Sequence, residues 1–154
     1  MNKARDNLSK ISTNNLMWQK ALLSLKAIDA LQLFLEEYPE SDLVPLATEK
    51  LKICHTKLAK KAFETAEFYR KQGWPESALV YYDEVLKNYI DTNFADEAYY
   101  GKAYCLYELE KFDASRTVLQ QLLAKFPGTA LKEEIKELAE GILEANDTHS
   151  DSNT

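Results

Sequence analysis

The chain has 154 residues, 45% of them apolar, with only 4 Gly and 4 Pro and a formal net charge of −6. That is enough for one domain with a real core, and so few turn formers among so many Leu, Ala, Glu, Lys and Tyr exclude a β-sandwich and favour an all-α fold. The negative charge argues against a nucleic-acid partner, because phosphate binding needs a concentrated cationic face, and no apolar run reaches the roughly 18 residues of a transmembrane segment.

Residues 1–13 are polar and mixed, and Met1-Asn2-Lys3-Ala4-Arg5 is followed by no signal-type apolar stretch. A soluble chain with no signal peptide of its own is therefore expected, its first residues a flexible tail. Leu16, Trp18, Leu22, Leu23 and Leu25 place the start of the first helix near Asn14, and it runs into Tyr38. A single long helix is expected from near Pro45 to Lys71. The turn Gln72-Gly73-Trp74-Pro75 follows, with Gly suited to a helix C-terminus and Pro to a first helical position. The next helix reaches Tyr89, and another runs from Ala95 to Leu109 before the turn Glu110-Lys111-Phe112-Asp113. A further helix stops at Phe126-Pro127-Gly128, and the last runs from Ala130 to Leu143. Residues 146–154 hold nothing apolar to bury and are expected to be a flexible tail, which leaves 14–145 as the helical domain.

Three helices close in the same way. Phe34-Leu35-Glu36-Glu37-Tyr38-Pro39-Glu40-Ser41, Val85-Leu86-Lys87-Asn88-Tyr89-Ile90-Asp91-Thr92 and Leu122-Leu123-Ala124-Lys125-Phe126-Pro127-Gly128-Thr129 align on an aromatic residue and a helix stop. Upstream, Ala27/Leu31/Phe34, Ala78/Tyr82/Val85 and Ser115/Leu119/Leu122 repeat at spacings of four and three, which is one helical face. Small residues, Ala66 and Ala103, sit on the preceding helices where close approach is needed. Together these features resemble the tetratricopeptide repeat, with about two and a half repeats in a helical solenoid. In the third unit Tyr99, Ala103, Leu106, Ser115, Leu119, Leu122 and Pro127 fall on the pattern. In the second, Ile90 replaces the closing Pro, and the turn Gly of the pattern is Gly73 in one unit and Glu110 in the other. The first and second stops are further apart than the second and third by about 14 residues, or about four whole turns, so one extended helix keeps its apolar face in register across the excess.

No catalytic constellation is present. His55 and His149 are the two histidines, no Ser or Cys lies in a nucleophile motif, and Cys54 and His55, adjacent on a helix, point about 100° apart. Gly-rich phosphate loops and metal spacings are absent, so no cofactor, metal or enzymatic activity is expected. Cys54 and Cys105 lack a CxxC spacing and read as buried thiols, with a disulfide between them left open.

A protein-binding surface is the remaining candidate. Tyr100, Tyr104 and Tyr107 form a stripe at spacings of four and three beside the packing set, and tyrosine offers large contact area with a hydrogen-bonding tip. They either face a partner or pack against the last helix. Lys60, Phe63, Glu67, Arg70 and Lys71 make an amphipathic set with a basic end, which either meets an acidic partner or is a solvated face. Arg70 and Glu97 flank the tyrosines. Trp74 either joins the contact or caps the core. The groove lacks an Asn to complete a peptide-carboxylate clamp, which favours docking of a protein surface over a generic adaptor that clamps a peptide or partner helix in its concave groove.

Two stretches carry a closer likeness: Lys26-Ala27-Ile28-Asp29-Ala30-Leu31-Gln32-Leu33-Phe34-Leu35 with Glu37-Tyr38-Pro39-Glu40-Ser41, and Lys57-Leu58-Ala59-Lys60-Lys61-Ala62-Phe63-Glu64-Thr65-Ala66-Glu67-Phe68-Tyr69 followed by Ala78 to Thr92. Over about residues 26–143, with its long helix before a repeat, the chain resembles the BamD family of outer-membrane assembly lipoproteins, residues 95–129 being similar to that family's fifth repeat. The resemblance implies a periplasmic, lipid-anchored, non-catalytic scaffold whose C-terminal repeats contact a POTRA domain of the insertase BamA, with other assembly-complex subunits as partners. It also implies that membrane anchoring comes only through a lipid on a longer precursor. The family's first two repeats, export signal and lipidated cysteine have no counterpart here, so the chain is expected to be either an excised C-terminal half or a stand-alone protein with similar repeats. Free cysteines are unusual in an oxidising periplasm.

Overall fold

The computed structural model describes residues 24–151, with side chains through Asp147, and helix is the only regular structure longer than a turn among them. Helix α1 covers residues 24–37 and is followed by α2 (Val44–Lys71), α3 (Pro75–Asn88), α4 (Ala95–Glu108), α5 (Phe112–Lys125) and α6 (Lys132–Asp151). The fold is all-α, with tetratricopeptide-type helical repeats. The expected helix start near Asn14 and the tail at 1–13 lie outside the described residues. Helix α2 is unbroken across Cys54 to Leu58, as the register of the long spacer requires. No helix among the described residues is long and apolar enough to cross a membrane.

The chain divides into two compact units, one ending at Leu58 and the other beginning at Ala59. In the first, Ile28 and Ala47 are buried, while Ala27, Leu31 and Phe34 are half-buried. The rings of Phe34 and Tyr38 lie 5.5 Å apart.

The second unit has a core in two parts joined by α4. Ala62 and Ala66 of α2 meet Ala78, Tyr82 and Val85 of α3 and Ala98 and Cys105 of α4. On its other side, Tyr99, Ala103 and Leu106 pack with Val118, Leu119 and Leu122 of α5 and Ile135, Leu138 and Ile142 of α6. Because α4 is covered from two directions, its buried residues are spread around the helix instead of forming one stripe. Gly101 is buried there, and a Cβ on it would fall 2.3 Å from Cζ of Tyr82. The absence of a side chain at 101 is what admits a fully buried tyrosine at the α3–α4 contact. Ser115, at the small-residue position of α5, is buried and donates its hydroxyl to the Ala103 carbonyl at 2.6 Å, so its polar atom costs little.

All three stops share one closure. The amides of Tyr38, Tyr89 and Phe126 donate to the carbonyls four residues earlier, at 2.9, 2.9 and 2.8 Å. Ser41, Thr92 and Thr129 then donate their amides back to those aromatic residues at 3.1, 3.1 and 3.0 Å. The replacement of Pro by Ile90 therefore leaves the turn intact, since the hydroxyl residue three positions after Tyr89 supports it: Thr92 Oγ1 donates to the Tyr89 carbonyl at 2.7 Å. Thr129 reaches further and donates to Asp96 Oδ2 at 2.9 Å, tying this turn to the first turn of α4.

The two turns inside the repeats also match. After α2, Gly73 N–H donates to Arg70 O at 3.0 Å and Trp74 N–H to Tyr69 O at 3.0 Å; after α4, Glu110 N–H donates to Tyr107 O and Lys111 N–H to Leu106 O, both at 2.9 Å. Each is a Schellman closure with its pivot residue in the left-handed region, φ 75° at Gly73 and 58° at Glu110. Trp74 is 53% exposed and lies 5.9 Å from the Tyr69 ring, which stacks on Tyr81 at 5.5 Å, so its capping contact leaves half of it in solvent.

Helix α6 differs from expectation at both ends. It begins at Lys132 and continues through Asn146 to Asp151, where a flexible tail from 146 is expected from composition. Extending an established helix needs only one more backbone bond per residue, so polar residues beyond the anchored Ile142 continue it without burial of their own.

Candidate protein-docking face

Tyr100, Tyr104 and Tyr107 project from one side of α4, beside the buried Tyr99, Ala103 and Leu106, and all three are half-buried against the α4–α5–α6 core. The rings of Tyr100 and Tyr104 lie 6.5 Å apart, and Tyr107 lies 5.7 Å from Phe112. With Glu137, Leu138 and Gly141 of α6 the three tyrosines line an open cleft of about 210 Å³. The rings thus lean on the last helix and still leave surface open.

Arg70, in the last turn of α2, stands against the same stripe, its guanidinium carbon 5.4 Å from the Tyr104 ring centroid. It is held there by Glu67, which accepts from Arg70 Nε at 3.2 Å and from Nη2 at 2.8 Å. Glu67 also accepts a short hydrogen bond from the hydroxyl of the buried Tyr82. The result is a connected line from the core to the surface: Tyr82, Glu67, Arg70, Tyr104. Arg70 and Glu67 side chains are only 28% and 24% exposed, so this is a shielded, bidentate pair and not a loose surface contact.

The electrostatics follow from that line. Burial alone would raise the Glu67 carboxyl, but the hydrogen bonds from Arg70 and Tyr82, with the charges of Arg70 and Lys71, hold it below the usual carboxylate range. Its hydrogen bond with Glu67 pushes the Arg70 guanidinium up, and burial followed by the Glu67 contact does the same to the Tyr82 hydroxyl. Burial pushes the Tyr100 hydroxyl up, helped by Glu134 and Tyr104. Glu97 is exposed, yet partial desolvation and the neighbouring Asp96 and Glu67 raise its carboxyl. Cys105 is buried and free, its thiol pushed up to about 12 by burial, which makes it a core residue and a poor nucleophile. Cys54 is free as well.

The other members of the basic set lie apart from the cleft. Lys60 is exposed and pairs with Glu64 at 3.7 Å. Phe63 packs 5.5 Å from Phe94 and 6.1 Å from Tyr82, a contact inside the α2–α3–α4 packing. Lys71 is exposed and acts on Glu67 through its charge. Sequence periodicity placed Tyr82 in the core and Glu67 on the amphipathic face without joining them. The available signal was a tyrosine at a fully buried position, whose hydroxyl requires a polar partner. Glu137 and Gly141 were also missed, although a glycine within a helix is itself a mark of close approach.

Compared with known protein families, residues 6–117 match the model of YfiO, described as an outer membrane lipoprotein. Among curated proteins, none matches the chain.

Proposed function

This chain belongs to the YfiO family of outer membrane lipoproteins, and on that premise we propose that it is a non-catalytic protein-binding scaffold of the outer-membrane β-barrel assembly machinery. It acts at the periplasmic side of the outer membrane and docks onto a BamA-type POTRA domain. Other subunits of the assembly complex are its further partners.

The observation that supports this use of the α4 face is the stripe of half-buried tyrosines with Tyr104 braced by Arg70. Side chains already ordered in the free protein lose less freedom on binding, so more of their contact energy appears as affinity. The exposed charges of Glu97 and Lys71 act mainly on association rate. Phe63 contributes by packing α2 against α3 and α4, and the exposed Lys60 only through its charge.

The test is calorimetry of the chain with a BamA-type POTRA domain at two salt concentrations, with circular dichroism on each variant. Tyr104→Ala is expected to weaken binding by about thirtyfold, the usual scale for a central aromatic anchor, and Lys60→Ala by much less and in a salt-dependent way. Folded Tyr100→Ala and Tyr104→Ala proteins that bind like the parent would overturn the assignment of the docking face.

A further inference from the structure

We propose that the cleft between α4 and α6 is a cation subsite, in which the rings of Tyr100, Tyr104 and Tyr107 and the carboxylate of Glu137 receive one arginine or lysine side chain of the docking partner. As an account of what the partner presents, this rests on the docking reading above.

Three features carry it. The walls are aromatic on the α4 side, and ring faces attract cations through their negative quadrupole. Glu137 supplies a formal negative charge at the edge, and Glu134, one turn earlier on α6, is close enough to act electrostatically on Tyr100. The protein already uses Tyr104 in this manner, since Arg70 lies against its ring. That internal cation does not oppose a second one strongly, because both its Nε and Nη2 are committed to Glu67. Gly141 opens the floor: a Cβ there would sit 3.4 Å from the Tyr107 hydroxyl. At about 210 Å³ the cleft takes a long side chain and not a folded element. The α6 wall that supplies the carboxylate lies outside residues 6–117, so the subsite is built from this chain's own C-terminal helix and not from the matched region alone.

An anionic or neutral aliphatic side chain would gain nothing from Glu137, which makes charge the discriminating variable. The experiment therefore titrates the full chain, with isotope-labelled tyrosine, using N-acetyl-arginine amide and its neutral isostere N-acetyl-citrulline amide. Ring resonances of Tyr104 and Tyr107 are expected to shift saturably with the arginine compound, with binding at least about fivefold weaker for citrulline. Glu137→Gln should lose about fivefold toward arginine and nothing toward citrulline, given the scale of exposed charge pairs. Gly141→Ala should weaken arginine binding by filling the floor, and because alanine favours helix it remains folded. Equal binding of the two compounds, or an arginine affinity unchanged by Glu137→Gln, overturns the subsite. The two readings separate cleanly with the POTRA domain in parallel. POTRA binding that depends on the tyrosines, without any arginine shift, removes the subsite and leaves the docking face. Arginine binding together with POTRA affinity indifferent to Tyr104→Ala removes the docking face and leaves the subsite.

Discussion

Gly101 and Tyr82 are in such close contact that a methyl group on residue 101 would overlap the tyrosine ring, with its Cζ at 2.3 Å and its Cε1 at 2.5 Å. A glycine inside a helix costs about 1 kcal/mol relative to alanine, so in isolation α4 would be steadier with Ala at this position. The contact reverses the sign. Tyr82 is fully buried and its hydroxyl is fixed on Glu67, so the ring has no free direction in which to move. Gly101→Ala is expected to lower stability by about 2 kcal/mol through overpacking, after the helix gain is subtracted. Urea unfolding followed by far-ultraviolet circular dichroism measures it, and an unchanged or raised midpoint would show that α3 and α4 separate freely.

Gly73 and Glu110 occupy the same pivot in successive repeats, both in the left-handed region, with matching pairs of closing hydrogen bonds. Glycine adopts that conformation at no steric cost, whereas a residue with a Cβ pays about 1–2 kcal/mol there. Glu110→Gly is therefore expected to raise stability by up to about 1 kcal/mol, the relief of strain being partly offset by a more flexible unfolded chain. Gly73→Ala should lower it by about 1 kcal/mol for the converse reason. Opposite shifts in thermal midpoint are the signature, and shifts of the same sign would contradict the equivalence of the two turns.

Much of this fold was legible because a repeat reports itself several times. Tyr38, Tyr89 and Phe126 mark three closures whose hydrogen bonds coincide within the scatter of ordinary geometry, even where Ile90 breaks the pattern. The unbroken α2 followed from counting turns in the spacer. Helix α6 outruns its expected end because composition speaks to burial, while its last polar residues continue a helix that burial has already nucleated upstream. For the candidate site the division is similar. Spacings of four and three put Tyr100, Tyr104 and Tyr107 on one face, a property of a single helix. Glu67 with Tyr82, and Glu137 with the tyrosines, depend on how neighbouring helices are rotated against each other, and side-chain periodicity carries no record of that rotation.

The Arg70–Glu67 pair yields an expectation with a definite pH dependence. Glu67 titrates below its unfolded value in the folded chain. Its contribution to stability is therefore complete above the unfolded value of about 4.3 and is lost as pH falls through the lower folded value. In Arg70→Ala the first hydrogen bond opposing desolvation disappears, so the folded carboxyl rises and a shielded charge is left with Tyr82 as its remaining partner. The variant is expected to be about 2 kcal/mol less stable near pH 7, short of the 3–5 kcal/mol typical for breaking a fully buried pair because both side chains keep some exposure. The difference narrows as pH falls below the unfolded value and closes once pH has passed below the lowered folded value, where the carboxyl is protonated in either protein. What survives in acid is the loss of the guanidinium from the Tyr104 ring, about 0.5–1 kcal/mol and independent of Glu67. Glu97 has its carboxyl raised by burial and by Asp96, but it titrates in both proteins and largely cancels in the comparison. Urea unfolding of the two proteins from pH 3 to pH 7 reads the difference directly. A gap of constant size across that range would mean that Arg70 stabilises the fold through its contact with Tyr104 and that Glu67 is indifferent to it.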